Sequence, residues 1–174
     1  MFYTRKGDGG TTKTLHCDQK RISKSSAVAE ALGAVDELNS LLGLVKHQAQ
    51  EVEEILQTVQ QDLFVVQAEL AGSSNHTIAP TRVTWLEKHI DSIEKSLPPI
   101  KSFFLPGASK EGAWLDYART VARRAERRVT AVEENIRVGE HSRAYLNRLS
   151  SLLYALARIV NHHAGAKEEP PRYR

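Results

Sequence analysis

Cysteine occurs once in the 174 residues, at Cys17, which excludes an internal disulfide framework and fits a reducing compartment. No apolar run approaches the ~18 residues of a membrane-spanning helix. The opening MFYTRKGDGG has no apolar core of the kind a signal peptide needs, so a soluble cytoplasmic protein is expected, with no membrane partner. Charge of one sign is also missing. Twenty-four basic residues face 21 acidic ones, and the net +3 is only a mild bias towards anionic ligands. Three chemical signatures are absent as well. There is no Glu-x-x-His, which removes the di-iron sites of helical bundles, no Gx[ST]xG nucleophile elbow, and no GxxxxGK[ST] phosphate loop. His162 and His163 are adjacent and would diverge by about 100° on a helix, so no protein metal site is expected.

What is present is helical periodicity. Apolar residues keep helical spacing over about 25–48 (Val28, Leu32, Val35, Leu42, Val45), 52–71 (Ile55, Val59, Leu63, Val66, Leu70) and 80–97 (Trp85, Leu86, Ile90, Ile93). Two more helices are expected over about 110–134 and 142–163. Ser25 or Ser26 suits the first N-cap, GSSN ends the second helix, and Pro98-Pro99 stops the third. With no strand run and no internal repeat, the expected fold is an all-α five-helix bundle. It forms one domain, with a loop arm at 1–24, the bundle at 25–165 and a loose tail at 166–174.

The fourth helix carries AWLDYARTVARRAERR. Trp114, Ala118, Val121, Ala125 and Val132 form its packing stripe, while Arg119, Arg123 and Glu126 fall together on a second arc at the border of the core. An arginine there can hold phosphate or carboxylate with two parallel hydrogen bonds. A solvated face of Glu–Arg pairs is the plainer alternative. On the first helix Asn39 lies within the apolar arc and Asp36 on its flank, where a carboxylate calls for a partner such as arginine. On the fifth helix Tyr145, Leu149, Leu152, Leu156, Ile159, Val160 and His163 fall on the core face. Asn147, Ser151, Tyr154, Arg158 and Asn161 form the opposite polar stripe, expected to face solvent.

Two loops remain open in meaning. TRKGDGGTTKT offers backbone N–H groups and hydroxyls suited to phosphate, yet its composition equally describes a flexible tail. SFFLPG, with Phe103, Phe104 and Leu105, reads either as a core plug or as the apolar wall of a pocket. A nucleic-acid reading has little support, because the arginines alternate with core residues rather than aromatics.

Taken together, TRKGDGGTT at 4–12, RISK at 21–24, ALGAVDELNSLLG at 31–43, FFLPG at 103–107, ARTVARRAERRV at 118–129 and YLNRLSSLLYALAR at 145–158 resemble the PduO-type ATP:cob(I)alamin adenosyltransferases, in family order across almost the whole chain. The resemblance implies a homotrimer with active sites between subunits. It also implies transfer of the 5′-deoxyadenosyl group of ATP to the cobalt of cob(I)alamin, with Mg²⁺ helping to hold the phosphates. Thr4, Lys6, Gly7, Asp8, Gly10 and Thr11 match the family's ATP-binding arm, and Lys24 its phosphate-contacting lysine. Arg123 and Glu126 match its ATP-holding pair, and Asn147 the asparagine beside the nucleotide. Asp36 and Arg119 look like its subunit-bridging pair, and Phe103 like the phenylalanine that displaces the lower axial ligand of the corrinoid. One departure stands out: Ser151 occupies a position where family members commonly carry aspartate. A hydroxyl cannot supply that charge. It leaves a non-catalytic corrinoid- or nucleotide-binding module as the alternative, with a basic nucleic-acid-binding protein a more distant one.

Overall fold

The computed structural model describes residues 3–14, 21–132 and 138–173. Five helices make up the bundle: α1 (Ala27–Gln48), α2 (Glu53–Leu70), α3 (Pro80–Ser96), α4 (Lys110–Thr130) and α5 (Glu140–His163). A short 3-10 turn, Gln50–Val52, joins α1 to α2. Helix α4 lies in the middle, packed on α1 along one side and on α5 along another, while α2 lies against α1 and α3 against α5. The periodic leucines and valines meet in one core, in which Leu38, Leu63, Leu115, Leu149 and Leu152 are completely buried. Each such side chain contributes about 1.5–3 kcal/mol of transfer free energy, so this core dominates stability.

The helix ends follow from identifiable side chains. Ser26 accepts from the Ala29 amide at α1. Helix α2 ends at Gly72, whose φ of +92° needs no Cβ, with Gly72 and Ser73 amides returning to carbonyls of Glu69 and Ala68. Helix α5 starts without a side-chain cap of its own. Buried Glu69, from α2, accepts from the Gly139 amide at 2.5 Å and from the Ser142 hydroxyl, so the carboxylate satisfies the positive end of α5. A Cβ at Gly139 would come within 2.7 Å of that carboxylate oxygen, which explains the glycine. Asn39 links α1 to α2: its side-chain NH2 donates to the Gln60 backbone carbonyl at 3.3 Å, and the Gln60 side chain donates to the Asn39 backbone carbonyl at 3.0 Å, while the buried Asn39 Oδ1 has no partner among the described residues.

Four expectations need correcting. The chain before α1 contains a two-stranded antiparallel ladder, β1 (Thr11–Lys13) with β2 (Arg21–Ser23), Thr12 opposite Ile22. Such three-residue strands are too short to show alternation. His163 is exposed, with Nδ1 3.3 Å from Glu51 in the turn between α1 and α2, because this end of α5 meets a polar junction rather than the core. The polar stripe of α5 does not uniformly face water, since Arg158 and Asn161 are 7% and 3% exposed. Finally, the segment after α5 is tied down: the Glu169 carbonyl accepts from the Leu105 amide at 2.8 Å, and Glu168 engages Arg158 and Asn161. Composition alone could not show this, because the bonds are non-local.

Candidate active site

The FFLPG loop leaves α3 through Pro98-Pro99 and reaches α4 by a turn at Gly107, whose φ is +93°. It forms one rim of a cavity of about 620 Å³ whose other walls are α4 and α5. Phe103, Phe104 and Leu105 line the rim, Arg119 and Arg123 come from α4, and Ser151, Tyr154 and Arg158 come from α5. Phe103 is 79% exposed, a large aromatic held over an opening rather than packed in the core. The wall reading of SFFLPG therefore holds for Phe103, while Phe104 is half-buried. Buried Asp116 fixes the geometry behind the rim. One of its oxygens accepts from the Gly107 amide at 3.3 Å and the other from Arg119 Nε at 3.3 Å. Arg119 in turn lies 5.9 Å from the Tyr154 ring.

Beside this cavity, further along α4, is a polar cleft of about 290 Å³ lined by Arg123, Glu126, Arg127, Thr130 and Asn147. Asn147 donates to Glu126 at 2.8 Å, joining α5 to α4 across the cleft floor. Arg127 donates to the Arg123 carbonyl at 3.1 Å, and the Arg148 guanidinium donates to the Asn147 side-chain oxygen. Arg123 lines both the polar cleft and the apolar cavity. An exposed cation there, with no ion pair among the described residues, is positioned to meet an anion bridging the two spaces.

The N-terminal arm is ordered by local bonds. The Lys6 amide donates to Thr4 Oγ1 at 3.4 Å, the Asp8 amide to the Arg5 carbonyl, and the Gly10 amide to the Gly7 carbonyl. Gly10 has a φ of +75°, a conformation that favours glycine. The Lys24 amide closes the turn onto the Gly10 carbonyl at 2.9 Å, and a Cβ at Gly7 would sit 3.1 Å from the Lys24 ammonium. The Lys24 side chain thus lies over the glycine turn. Arg21 holds the whole arrangement. Its guanidinium donates to Thr11 Oγ1 at 2.7 Å, to the Thr11 carbonyl at 2.7 Å and to the Lys6 carbonyl at 2.5 Å. Sequence reasoning quoted Arg21 inside RISK and gave it no role, since nothing local shows that an arginine will serve carbonyls ten and fifteen residues back.

Of the sequence-derived site residues, the fold gathers Arg119, Arg123, Glu126, Asn147 and Phe103 around two adjoining clefts. Among the described residues, none of the arm lines either cleft. Asp36 is also apart from Arg119. Exposed on α1, it accepts from Gln67 at 3.3 Å, while Arg119 engages Asp116 of its own helix. Within the chain Asp36 has an amide for a partner, and the pairing with Arg119 that the resemblance implies is one between subunits. Glu37, its neighbour, takes Arg124 at 2.6 Å.

Helix α5 is anchored by a trio in which Asp62 and Tyr145 are buried and Arg82 is part-exposed. Arg82 of α3 grips the Asp62 carboxylate of α2 at 2.7–3.0 Å, and the Tyr145 hydroxyl donates to the same carboxylate at 2.8 Å. Desolvation, with the neighbouring Asp62 charge, holds the Tyr145 phenol far above its ordinary range, and the Asp62 hydrogen bond raises Arg82. Tyr145 lies two residues before Asn147, so the trio fixes the start of the helix that carries the cleft asparagine.

The sequence and the fold both match known proteins. The family model described as cobalamin adenosyltransferase matches residues 2–160. The chain is 41% identical over 171 residues to the corrinoid adenosyltransferase PduO of Citrobacter freundii, covering 94% of this chain and 50% of that protein. It therefore spans about half the length of the PduO relatives it matches. Against the corrinoid adenosyltransferase of Bacillus subtilis it is 37% identical over 173 residues, covering 94% of this chain and 88% of that one. In three dimensions it superposes on a variant of the PduO-type ATP:corrinoid adenosyltransferase from Lactobacillus reuteri, solved in complex with cobalamin and ATP. That match has a TM-score of 0.92 at 30% identity, over 99% of this chain and 100% of the other. Helix order, loop chemistry and these matches agree, and the chain belongs to the cobalamin adenosyltransferase family.

Proposed function

We propose that the protein transfers the 5′-deoxyadenosyl group of ATP to the cobalt of cob(I)alamin, releasing triphosphate. The observation that carries this reading is the position of Arg123 on the border between an apolar cavity and a polar cleft. A corrinoid ring suits the first space and the nucleotide the second. The atoms in flight, C5′ and its leaving oxygen, then fall beside the guanidinium.

The chemistry asks little of the protein in acid–base terms. The electron pair on Co(I) forms the Co–C5′ bond while the C5′–O5′ pair leaves with the triphosphate, and no proton need move. The protein's tasks are to hold the two substrates in line and to neutralise the developing charge on the leaving group. Arg123 supplies the charge. Glu126 and Asn147, already bonded to each other, offer a fixed polar edge to the nucleoside. The arm, through Thr4, Lys6, Gly7, Asp8, Gly10, Thr11 and Lys24, supplies amides, hydroxyls and an ammonium to the phosphates. Magnesium enters with the nucleotide. Among the described residues no cluster of three His, Cys, Asp or Glu side chains could hold a metal ion, and a Mg²⁺ that keeps waters and phosphate oxygens needs no such cage. Phe103 occupies the lower face of the corrinoid, where an apolar ring excludes both water and the lower axial ligand.

The described residues of the arm do not line the clefts of their own chain, and Asp36 and Arg119 are exposed or half-exposed without one another. Both features suit an active site completed by a neighbouring subunit, with the arm and Asp36 of one copy meeting Arg119 of the next in a homotrimer. No described helix is long and apolar enough to cross a membrane, and a reaction needing ATP and reduced corrinoid belongs in the cytoplasm.

The test is anaerobic. Cobalamin is reduced to Co(I), purified protein and MgATP are added, and the corrinoid spectrum is followed alongside triphosphate. A light-sensitive Co–C bond formed with one triphosphate per adenosylated corrinoid is expected. Binding of both substrates without triphosphate would instead identify a module disabled at Ser151, and absence of binding would refute the reading altogether.

A further inference from the structure

The buried arginine of α5 has no part in the chemistry above, yet it stands at the centre of the cavity wall. Arg158 is 7% exposed, and its guanidinium carbon lies 4.5 Å from the centre of the Phe104 ring. Its Nε is 2.5 Å from Glu168 Oε2, an ion-pair contact in which Nε lacks hydrogen-bond alignment. Glu168 accepts from the Asn161 side-chain amide at 3.0 Å through its other oxygen. Asn161 in turn accepts from the Ser109 amide at 3.1 Å and the Ser109 hydroxyl at 2.7 Å, where the loop enters α4. One residue further along the tail, the Glu169 carbonyl takes the Leu105 amide. The segment 103–109 is therefore held from behind at Phe104, Leu105 and Ser109, by α5 and the C-terminal tail together.

We infer that Arg158 and Glu168 are positioning residues that set the FFLPG loop, and through it Phe103, against the lower face of the corrinoid. This rests on the reading of Phe103 given above. The chemistry fits the task. A planar guanidinium can stack on an aromatic face and carry a carboxylate at the same time, which an ammonium cannot do. A buried arginine also needs its counter-charge, so Arg158 recruits Glu168 and with it the tail. Phe103 itself has no such support. With 79% of its surface free, its direction is set by the backbone on either side of it, and the clasp grips the C-terminal side. Loosening the clasp frees the ring to swing out of the space that a lower ligand would occupy, without touching the polar cleft.

That separation provides the experiment. Glu168→Gln removes the charge and keeps an acceptor for Asn161, and Arg158→Lys keeps the charge and loses the stacking plane. Both are assayed with MgATP against cobalamin and against cobinamide, a corrinoid without the lower base. The visible spectrum of enzyme-bound Co(II)alamin reports whether the lower ligand is on or off. Each variant is expected to lose about tenfold in kcat/KM for cobalamin. The KM for ATP should stay within twofold, cobinamide turnover should fall by less than cobalamin turnover, and more bound Co(II)alamin should keep its lower ligand. The Glu168→Gln/Arg158→Lys double variant should lose less than the product of the single losses. Unchanged turnover on cobalamin overturns the proposal, as does a loss of equal size on both corrinoids. A wild-type protein that fails to adenosylate either corrinoid would instead refute the function itself.

Discussion

The arm and the bundle reach order by different means. In the bundle, more than a dozen large side chains are removed from water, and any one hydrogen bond is a small part of the total. In the arm almost nothing is buried. Ile22 packs against the core, and the shape of residues 4–24 that are described comes from turn bonds and from the three-way grip of Arg21. The two regions therefore separate stability from function: a substitution in the bundle core should unfold the protein before it alters chemistry, and a substitution in the arm or on the cleft-facing side chains should do the reverse.

The strongest way to break this comparison is to remove a core side chain and a cleft side chain in parallel. Leu149 of α5 is fully buried in the core, and Leu149→Ala should lower unfolding free energy by about 2–5 kcal/mol, measured by urea titration, with turnover per folded molecule within a few fold of wild type. Arg123→Ala should leave the urea midpoint nearly unmoved, because the side chain is exposed. Its adenosylation rate should fall by about a hundredfold, the usual size of losing one aligned charge at a leaving group. If Arg123→Ala unfolds the protein, or turns over normally, the division between the two regions fails there. A smaller and sharper test lies in the arm. Arg21→Ala should raise the KM for ATP by about tenfold through loss of the turn that presents Lys24, with stability changed by less than about 0.5 kcal/mol, as for surface sites. Steady-state kinetics with MgATP varied, alongside thermal melting, would show whether Arg21 acts on the nucleotide or on the fold.

The same contrast explains what could be read from the chain. Helices α1 to α5 were legible within a few residues because burial imposes a 3.6-residue period, and Pro98-Pro99, Gly72 and Ser26 mark boundaries by local stereochemistry. The arc holding Arg119, Arg123 and Glu126 was legible for the same reason, and the family resemblance added Asn147 and Phe103. Residues whose roles depend on distant partners were not legible. Arg158 and Asn161 looked like a solvent stripe because much of what covers them comes from the tail and the FFLPG loop, both aperiodic. The β1–β2 ladder escaped because three residues cannot establish an alternation, and Arg21 because its acceptors are backbone carbonyls, which carry no sequence signature. Asp36 illustrates a different gap: the resemblance implies a partner across a subunit boundary, and within the single chain the carboxylate accepts from Gln67.

The Asp62–Arg82–Tyr145 trio offers a test with the smallest expected effect, and its sign follows from burial. The phenol is held neutral in the folded protein well above its ordinary value of 10.0, whereas in the unfolded chain it ionises near that value. Below pH 10 both states keep the proton and the group adds no pH dependence. Above it the unfolded state gives up a proton that the folded state retains, so stability falls as pH rises from about 10 upward, by at most about 1.4 kcal/mol per pH unit. Tyr145→Phe should therefore lower stability at pH 7 by about 1 kcal/mol, since Asp62 keeps its bidentate arginine and loses only the hydroxyl. It should also make the alkaline limb between pH 10 and 11.5 shallower than in wild type. Urea midpoints across that range decide the matter: parallel limbs would mean that the phenol ionises in the folded protein, and the trio could not then be the dry anchor that fixes α5 beneath Asn147.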